Sequence, residues 1–331
     1  MAFSMFGYFK SGRASSKFRR KKIGLALSSG AARGFAHIGV IKVLEESQIP
    51  VSMIAGTSMG ALIGALYAAG LSGDELEEIA CNVDIKTAAK LFAPTPSLGG
   101  LVSGNRIQDA LQSLVGDVNI EDLKIPFAAV AVDIKNAEEV VIREGSLTEA
   151  IRASISVPGI FTAVNYQNRF LVDGGLINPV PVDVVQEMGA DFVIAVNIPY
   201  PTKSKPVDIT LKSANKGGEP AQIANSKSFN SNLATFVNKV VDLNQLKSKF
   251  NGFAKGAFGN KGYARPNIFK VIMTTTKIME NQIKDLQLQR YKPDILIEPK
   301  VDIASNFDFH KARRIIKLGE QEAKKVLGKI I

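Results

Sequence analysis

Three stretches hold residues that could do chemistry together. The first is Gly56-Thr57-Ser58-Met59-Gly60, which follows the apolar run Val51–Ala55 and opens a small-residue segment reaching Gly70. A serine between strand and helix, with glycine two positions away on each side, sits at a sharp corner with its hydroxyl raised above the sheet edge. Strand and helix come so close there that positions 56 and 60 must be small. The corner also aims the first helical amides at the space before Ser58, and helix N-termini favour negative charge. This suits attack by a hydroxyl on a carbonyl, with an oxyanion developing nearby.

The second stretch is Arg169-Phe170-Leu171-Val172-Asp173-Gly174-Gly175. It reads as a carboxylate at the end of an apolar strand, with glycines that let the backbone approach a ligand. Asp-Gly is also the commonest tight-turn signal, so these residues alone leave a plain turn open. The third is the strand Lys22–Leu27, running into Ser28-Ser29-Gly30-Ala31-Ala32-Arg33-Gly34 and a helix from Phe35 to about Ser47. Phe35, Ile38, Ile41, Val43 and Leu44 fall on roughly one side of that helix. Strand, small-residue loop and helix make an anion cradle. It is not a Walker loop, since no Gly-Lys-Ser/Thr follows, and the glycine spacing is wrong for a dinucleotide site. As an oxyanion hole it makes sense. Parallel neighbouring strands would set this loop beside the Ser58 corner, at the carboxyl ends of the strands.

The elements that must position these groups follow from the same pattern. Helices are expected over Asp74–Leu91, Ile107–Leu114, Leu147–Ala153, Ile268–Leu288 and Lys311–Leu327, and from Val180 onward with proline in the first turn. Strands are expected over Ile125–Val132, Glu139–Arg143 (a hairpin partner), Asp191–Ile198 and Asp294–Pro299, and a loop over Ala93–Gly100.

At 331 residues, 46% hydrophobic and 22% charged, the chain can bury a sizeable core. The single cysteine, Cys81, forms no internal disulfide and reads as a small apolar helix residue. With only His37 and His310, no histidine-rich metal site or structural zinc is expected. The net charge of +10 is uneven. Residues 1–22 hold seven basic residues and no acid, and residues 203–264 hold ten lysines against three acids. Subtracting these two +7 segments from +10 leaves −4 for the body. Two basic appendages on a mildly acidic body suit an anionic surface, a membrane above all. No stretch is long and apolar enough to span a bilayer. The apolar residues at the N-terminus precede the basic ones, the reverse of a secretory signal. Residues 1–22 read equally as an interfacial anchor and as a solubilising tail. Within 201–264, Leu233, Phe236, Val237, Val240 and Val241 recur at helical spacing among lysines, which reads either as an amphipathic lid or membrane-contact helix or as an insertion packed on the body or partly disordered. A nucleic-acid partner fits poorly. The basic tracts lack an interleaved aromatic platform, although Phe236 and Phe250 fall inside one.

Taken together the motifs resemble the patatin-like phospholipases, particularly their bacterial members. The resemblance rests on Leu27–Gly34 with Ala36-His37-Ile38-Gly39, on Gly56–Gly60, on Ala150–Gly159 and on Val172–Gly175, in that order. It runs from about Ile23 to Val196 and resumes from about Asn267 to Leu327. It implies an α/β fold, a three-layer α/β/α sandwich with a mostly parallel central sheet and a Ser-Asp dyad. The domain organisation expected is a basic tail, 1–22, and one hydrolase domain, 23–331, carrying the insertion at about 201–264. The implied activity is lipid acyl hydrolysis without a cofactor or metal. Ser58 would be the nucleophile, Asp173 the base, and the amides around Gly30, Ala31 and Ala32 the oxyanion hole. Arg33, Gly34, Gly56, Gly60, Gly174 and Gly175 would support them. Two family glycines in the oxyanion loop are replaced here, by Ser29 and Ala31. Two rival readings stand beside this one: a Ser58–Asp173–His310 triad, whose chain order is that of α/β-hydrolases, and a catalytically silent membrane-binding module. The expected location is cytoplasmic, with peripheral contact to a membrane.

Overall fold

In the computed structural model, residues 18, 20–83, 102–200 and 268–329 are described. The N-terminal tail before Phe18, the loop Ala93–Gly100 and the insertion 201–264 lie outside them. The chain divides into two compact units, Met1–Pro201 with Met273–Ile331, and Thr202–Ile272. The first carries all the candidate chemistry.

Its chain order is β1 (Ile23–Leu27), a 3-10 turn (Ala31–Phe35) leading into α1 (Ala36–Glu46), β2 (Val51–Thr57), α2 (Met59–Ala68) and α3 (Gly73–Cys81). After a gap in the described residues come α4 (Asn105–Val115), β3 (Phe127–Asp133), β4 (Glu138–Ile142), α5 (Leu147–Ser154), β5 (Val164–Tyr166) and β6 (Arg169–Asp173). Then follow α6 (Val182–Glu187), β7 (Phe192–Val196), α7 (Ile268–Tyr291), β8 (Ile295–Ile297) and α8 (Ala312–Leu327). Of the helix expected over Asp74–Leu91, α3 covers the part up to Cys81, and residues 84–91 lie outside the described residues. Its start is fixed by a capping box, in which Ser72 accepts from the Glu75 amide and the Glu75 carboxylate accepts from the Ser72 amide. Pro181 caps α6 rather than sitting in its first turn. The short strand β5 is an element the sequence pattern does not reveal; three residues are too few to carry a periodicity.

The eight strands form one mixed sheet, with β2, β1, β7 and β8 side by side and parallel, and β3 parallel to β2. Two apolar layers flank it. Leu25, Leu27, Ile54, Phe127, Ile194 and Val196 pack with α1, α2, α3, α5 and α8 on one face. Ala26, Ala55, Ala128, Val130 and Ala195 face the other, under Val182, Val184 and Val185 of α6 and Leu288 and Tyr291 of α7. The period-two alternation of β1 explains the split: its large residues meet five helices, and its small ones let α6 come close. Each fully buried Leu, Ile or Val here contributes about 1.5–3 kcal/mol of transfer free energy. The result is the expected three-layer α/β/α sandwich.

One feature of the sheet matters most for the site. β4 covers one edge of β3. On the other edge β2 runs parallel and reaches Thr57 opposite Val130, and β6 runs antiparallel and ends with Asp173 opposite Ala131. Two strands therefore meet end to end along one edge of β3, at adjacent register positions.

Candidate active site

Ser58 leaves the end of β2 at the point where β6 delivers Asp173. The Ser58 hydroxyl donates to Asp173 Oδ2 at 2.6 Å. The two residues are 115 apart in sequence, and both are buried, at 7% and 6% exposure. Ser58 holds φ 57° and ψ −119°, a region that non-glycine residues rarely occupy and that stores about 1–3 kcal/mol. The surroundings that enforce it can be named. The Ser58 amide donates to Ser154 Oγ at 2.9 Å, and that hydroxyl in turn donates to the Val130 carbonyl at 2.6 Å. Thr57 Oγ1 donates to the Asn178 carbonyl at 2.7 Å. A Cβ on Gly56 would lie 2.5 Å from the Gly60 carbonyl, and one on Gly60 would lie 2.2 Å from the carbonyl oxygen of Leu27. Only glycine permits that strand-to-helix approach.

Asp173 is fixed from its other side. Its Oδ1 accepts from the Gly175 amide at 2.8 Å, and its own amide donates to the Ser156 carbonyl at 3.0 Å. Gly174 packs against the Val130 carbonyl, where a Cβ would lie 2.4 Å from the oxygen. Burial raises the Asp173 carboxyl, and the hydrogen bonds from Ser58 and Gly175 offset part of that; nearby Glu280 adds to the rise, leaving it at about 6.

The loop after β1 lies against this corner. Gly34 sits against Met59, the residue after Ser58, and Gly60 faces the carbonyls of Leu27 and Ser28. Ala31 holds φ 49°, the left-handed region in which glycine costs nothing and alanine is strained. Of the three expected donors the structure withdraws one: the Ala32 amide donates to the Asn306 carbonyl at 3.1 Å, so it is not free for an oxyanion. Among the described residues the Gly30 and Ala31 amides have no such acceptor. Arg33 is 3% exposed; it donates to the Pro199 carbonyl at 3.2 Å and to Asn306 Oδ1 at 3.0 Å, and it stacks over Tyr200. These contacts bind the loop to the segments after β7 and β8. A cleft of about 530 Å³ opens beside Arg33, lined also by Tyr200, Ile303 and Phe307, and neither Ser58 nor Asp173 lines it.

Neither histidine joins the pair. His37 is fully buried on α1, with Nε2 2.7 Å from the Ser28 carbonyl, and burial lowers it to about 4, so the ring is a neutral donor holding the loop. His310 is exposed in a short turn before α8, and no hydrogen bond links it to Ser58 or Asp173. Among the described residues no group of His, Cys, Asp and Glu is arranged to hold a metal ion, and no helix is long and apolar enough to cross a membrane.

The family model for patatin-like phospholipase matches residues 25–185, which takes in the loop after β1, the Ser58 corner and Asp173. An uncharacterized NTE family protein of Mycobacterium tuberculosis (H37Rv) is 30% identical over 329 residues, covering 92% of this chain and 91% of the relative. The chain belongs to the patatin-like phospholipase family. Human patatin-like phospholipase domain-containing protein 6 is 35% identical over 182 residues, and the Drosophila melanogaster neuropathy target esterase sws is 34% identical over 181. Each of these matches spans 53% of this chain and 13% of the longer protein. Membership of this patatin-like family is consistent with lipid hydrolase activity.

Residues outside the sequence expectation also shape the site. Ser154 sits inside the Ala150–Gly159 motif, so the signal was present but not its role as the brace of the Ser58 amide. Glu280 and Lys284 of α7 are buried against the loop after β1, at 6% and 5% exposure, with Lys277 half-buried beside them. Their spacing of three and four residues would look the same on a solvated helix face.

Proposed function

We propose that this patatin-like protein is a serine lipid acyl hydrolase of the phospholipase A or lysophospholipase type, with Ser58 as nucleophile and Asp173 as general base. The observation that carries the reading is the 2.6 Å hydrogen bond from Ser58 Oγ to Asp173 Oδ2. Ser58 Oγ attacks the carbonyl carbon of a fatty-acyl ester as its proton passes to Asp173. The tetrahedral oxyanion is met by the Gly30 and Ala31 amides, in a loop beside the positive end of α2. Collapse expels the lipid alcohol, which takes the proton from Asp173 and leaves an acyl-Ser58 ester. Water, deprotonated by Asp173, then attacks that ester, releases the fatty acid and regenerates the serine. A carboxyl raised to about 6 is a better base than one at its ordinary value of 3.8, and it is still ionised at neutral pH.

The basic appendages, 1–22 and about 201–264, belong to the same reading as segments that bring a single catalytic domain to a bilayer. The outward face of α7 exposes Ile278, Met279 and Leu286, consistent with a lipid surface nearby. Deleting residues 228–258 should weaken vesicle binding more than hydrolysis of a soluble short-chain ester; equal loss of both would make the segment structural. The activity itself is tested with a fluorophosphonate probe. Wild type should be labelled, Ser58→Ala should not, and Asp173→Asn should lose labelling and ester hydrolysis together. Wild type that resists the probe and cleaves no lipid, while still binding vesicles, would make the protein the silent membrane-binding module instead.

A further inference from the structure

Helix α7 turns its charged stripe inward. Glu280 lies between the loop after β1 and the turn that follows Asp173. The Ser29 hydroxyl donates to Glu280 Oε1. On the other side, the Glu280 carboxyl lies 3.4 Å from where a Cβ on Gly175 would stand, beside the turn whose amide holds Asp173. Lys277 Nζ donates to Glu280 Oε2 at 2.6 Å, and Lys284 Nζ lies 3.7 Å from Oε1. Lys284 also donates to the Ser29 carbonyl at 3.2 Å and to the Ile198 carbonyl at 3.0 Å. A buried carboxylate is costly unless it is paired, and this one is paired twice. A solvated helix would turn these three residues to water; here the exposed positions of the helix include the apolar Ile278, Met279 and Leu286.

We infer that Glu280 is a positioning residue for the reaction: clamped by Lys277 and Lys284, it anchors the loop after β1 through the Ser29 hydroxyl and sets a negative charge beside the Asp173–Gly175 turn. The serine at 29 then has a use: it supplies the hydroxyl that Glu280 holds. Ala31, two residues on, carries a strained φ and one of the two free amides, so an anchor at position 29 bears directly on where those amides point.

The charge has a second effect. The groups facing Glu280 are Lys277 and Lys284 on its own helix, Arg33 and Ser29 from the loop after β1, and Asp173 from the end of β6. Tyr200 and Asp302 face Arg33, and His37 on α1 faces Lys284. Burial pushes the Glu280 carboxyl up, but Lys277 and Lys284, with the hydrogen bonds from Lys277 and Ser29, overcome it and hold the group ionised. Its negative charge opposes ionisation of Asp173, while Lys277 favours it. Removing the charge at 280 therefore makes Asp173 easier to ionise, and the acid limb of activity moves to lower pH.

This inference rests on Ser58 and Asp173 as the reacting pair, and the experiment separates the two. kcat/KM for a soluble short-chain ester is measured against pH for the full-length wild type, Glu280→Gln, Glu280→Gln with Lys284→Met, Ser29→Ala and Asp173→Asn. Glutamine keeps an acceptor for Ser29 and loses the charge, so the acid limb should fall by ~0.5–1 pH unit. The double variant removes a buried ion pair without stranding Lys284, and it should show the same shift even where the single variant folds poorly. Ser29→Ala keeps every charge. It should lower kcat about tenfold, leave KM unchanged and leave the limb where it is. A merely structural Glu280 would lower the amount of active protein at all pH values and move no limb. An unmoved limb in the charge variants that fold, or an unchanged kcat in Ser29→Ala, overturns the inference while leaving the Ser58–Asp173 reading intact. Activity that survives Asp173→Asn overturns that reading first, and this one with it.

Discussion

Asp173→Asn should make the protein more stable while it destroys activity, and the gain should depend on pH. Asp173 is 6% exposed, and its carboxyl is raised from the ordinary 3.8 to about 6, with burial as the largest cause. A folded-state pKa above the unfolded value means that the native state holds the proton more tightly. Stability from this group is therefore greatest below about pH 4, falls as pH rises through about 6, and then levels off. Two pH units at ~1.36 kcal/mol each put the cost of the native charge at about 3 kcal/mol. Asparagine carries no charge at any pH. Its oxygen can still accept from the Gly175 amide, and its Nδ2 can donate to Ser58 Oγ, so the local geometry survives. The expected result is that Asp173→Asn and wild type unfold alike near pH 4, and that the variant is more stable by about 3 kcal/mol at pH 8. The measurement is urea unfolding followed by far-ultraviolet circular dichroism, since the chain has no tryptophan to report by fluorescence. The activity of the same samples should fall by about 10²–10⁴, the usual worth of a general base. A variant that is less stable than wild type at pH 8, or a difference that does not change with pH, would refute the assignment of a desolvated, ionised carboxylate at 173.

Three further outcomes follow from the geometry. Ala31→Gly should relieve the strain of φ 49° and gain about 1 kcal/mol, read as a rise in Tm of about 2 °C; a fall would mean that alanine is not strained there. Gly60→Ala should cost more than about 3 kcal/mol or yield insoluble protein, because its Cβ would lie 2.2 Å from a backbone oxygen that cannot give way; near-wild-type stability would show that the strand–helix corner is looser than described. His310→Ala should keep esterase activity within about twofold, since an exposed ring without a hydrogen bond to the pair contributes no general-base step; a hundredfold loss would bring back a third catalytic group.

What the sequence disclosed and what it hid divide along a physical line. Gly56, Ser58 and Gly60 were legible because the requirement they meet is local: a strained corner between adjacent elements, written within five residues. Asp173 was half legible. Its strand was plain, but Asp-Gly-Gly reads equally as a turn, and only the register of β6 against β3 distinguishes the two. The reading of Ala32 as an oxyanion donor went wrong over a hydrogen bond to Asn306, which no pattern within the loop can reveal. Glu280 was hidden for the same reason, 251 residues from Ser29. One signal for it does lie in the sequence: Ile278, Met279 and Leu286 share the helix face opposite Lys277, Glu280 and Lys284, so one of the two stripes had to be buried and the other exposed. Composition favours burying the apolar stripe. The structure buries the charged one, as expected where polar groups have specific partners waiting for them.

The meeting of Ser58 and Asp173 is itself a consequence of unequal strand lengths. β3 is paired along one whole edge by two strands in succession, β2 up to Val130 and β6 from Ala131 onward. Were β2 one residue longer at its end, the position that Asp173 takes would be filled. Were it one residue shorter, Ser58 would turn into its helix before reaching the carboxylate. The glycines set the stopping point. Gly56 lets the chain turn immediately after Thr57, and Gly60 lets the helix that follows fold back against the end of β1. Two small residues thus fix the register at which a parallel strand gives way to an antiparallel one. At that junction the two backbones end, and the side chains of residues 115 apart are left facing each other across a hydrogen bond.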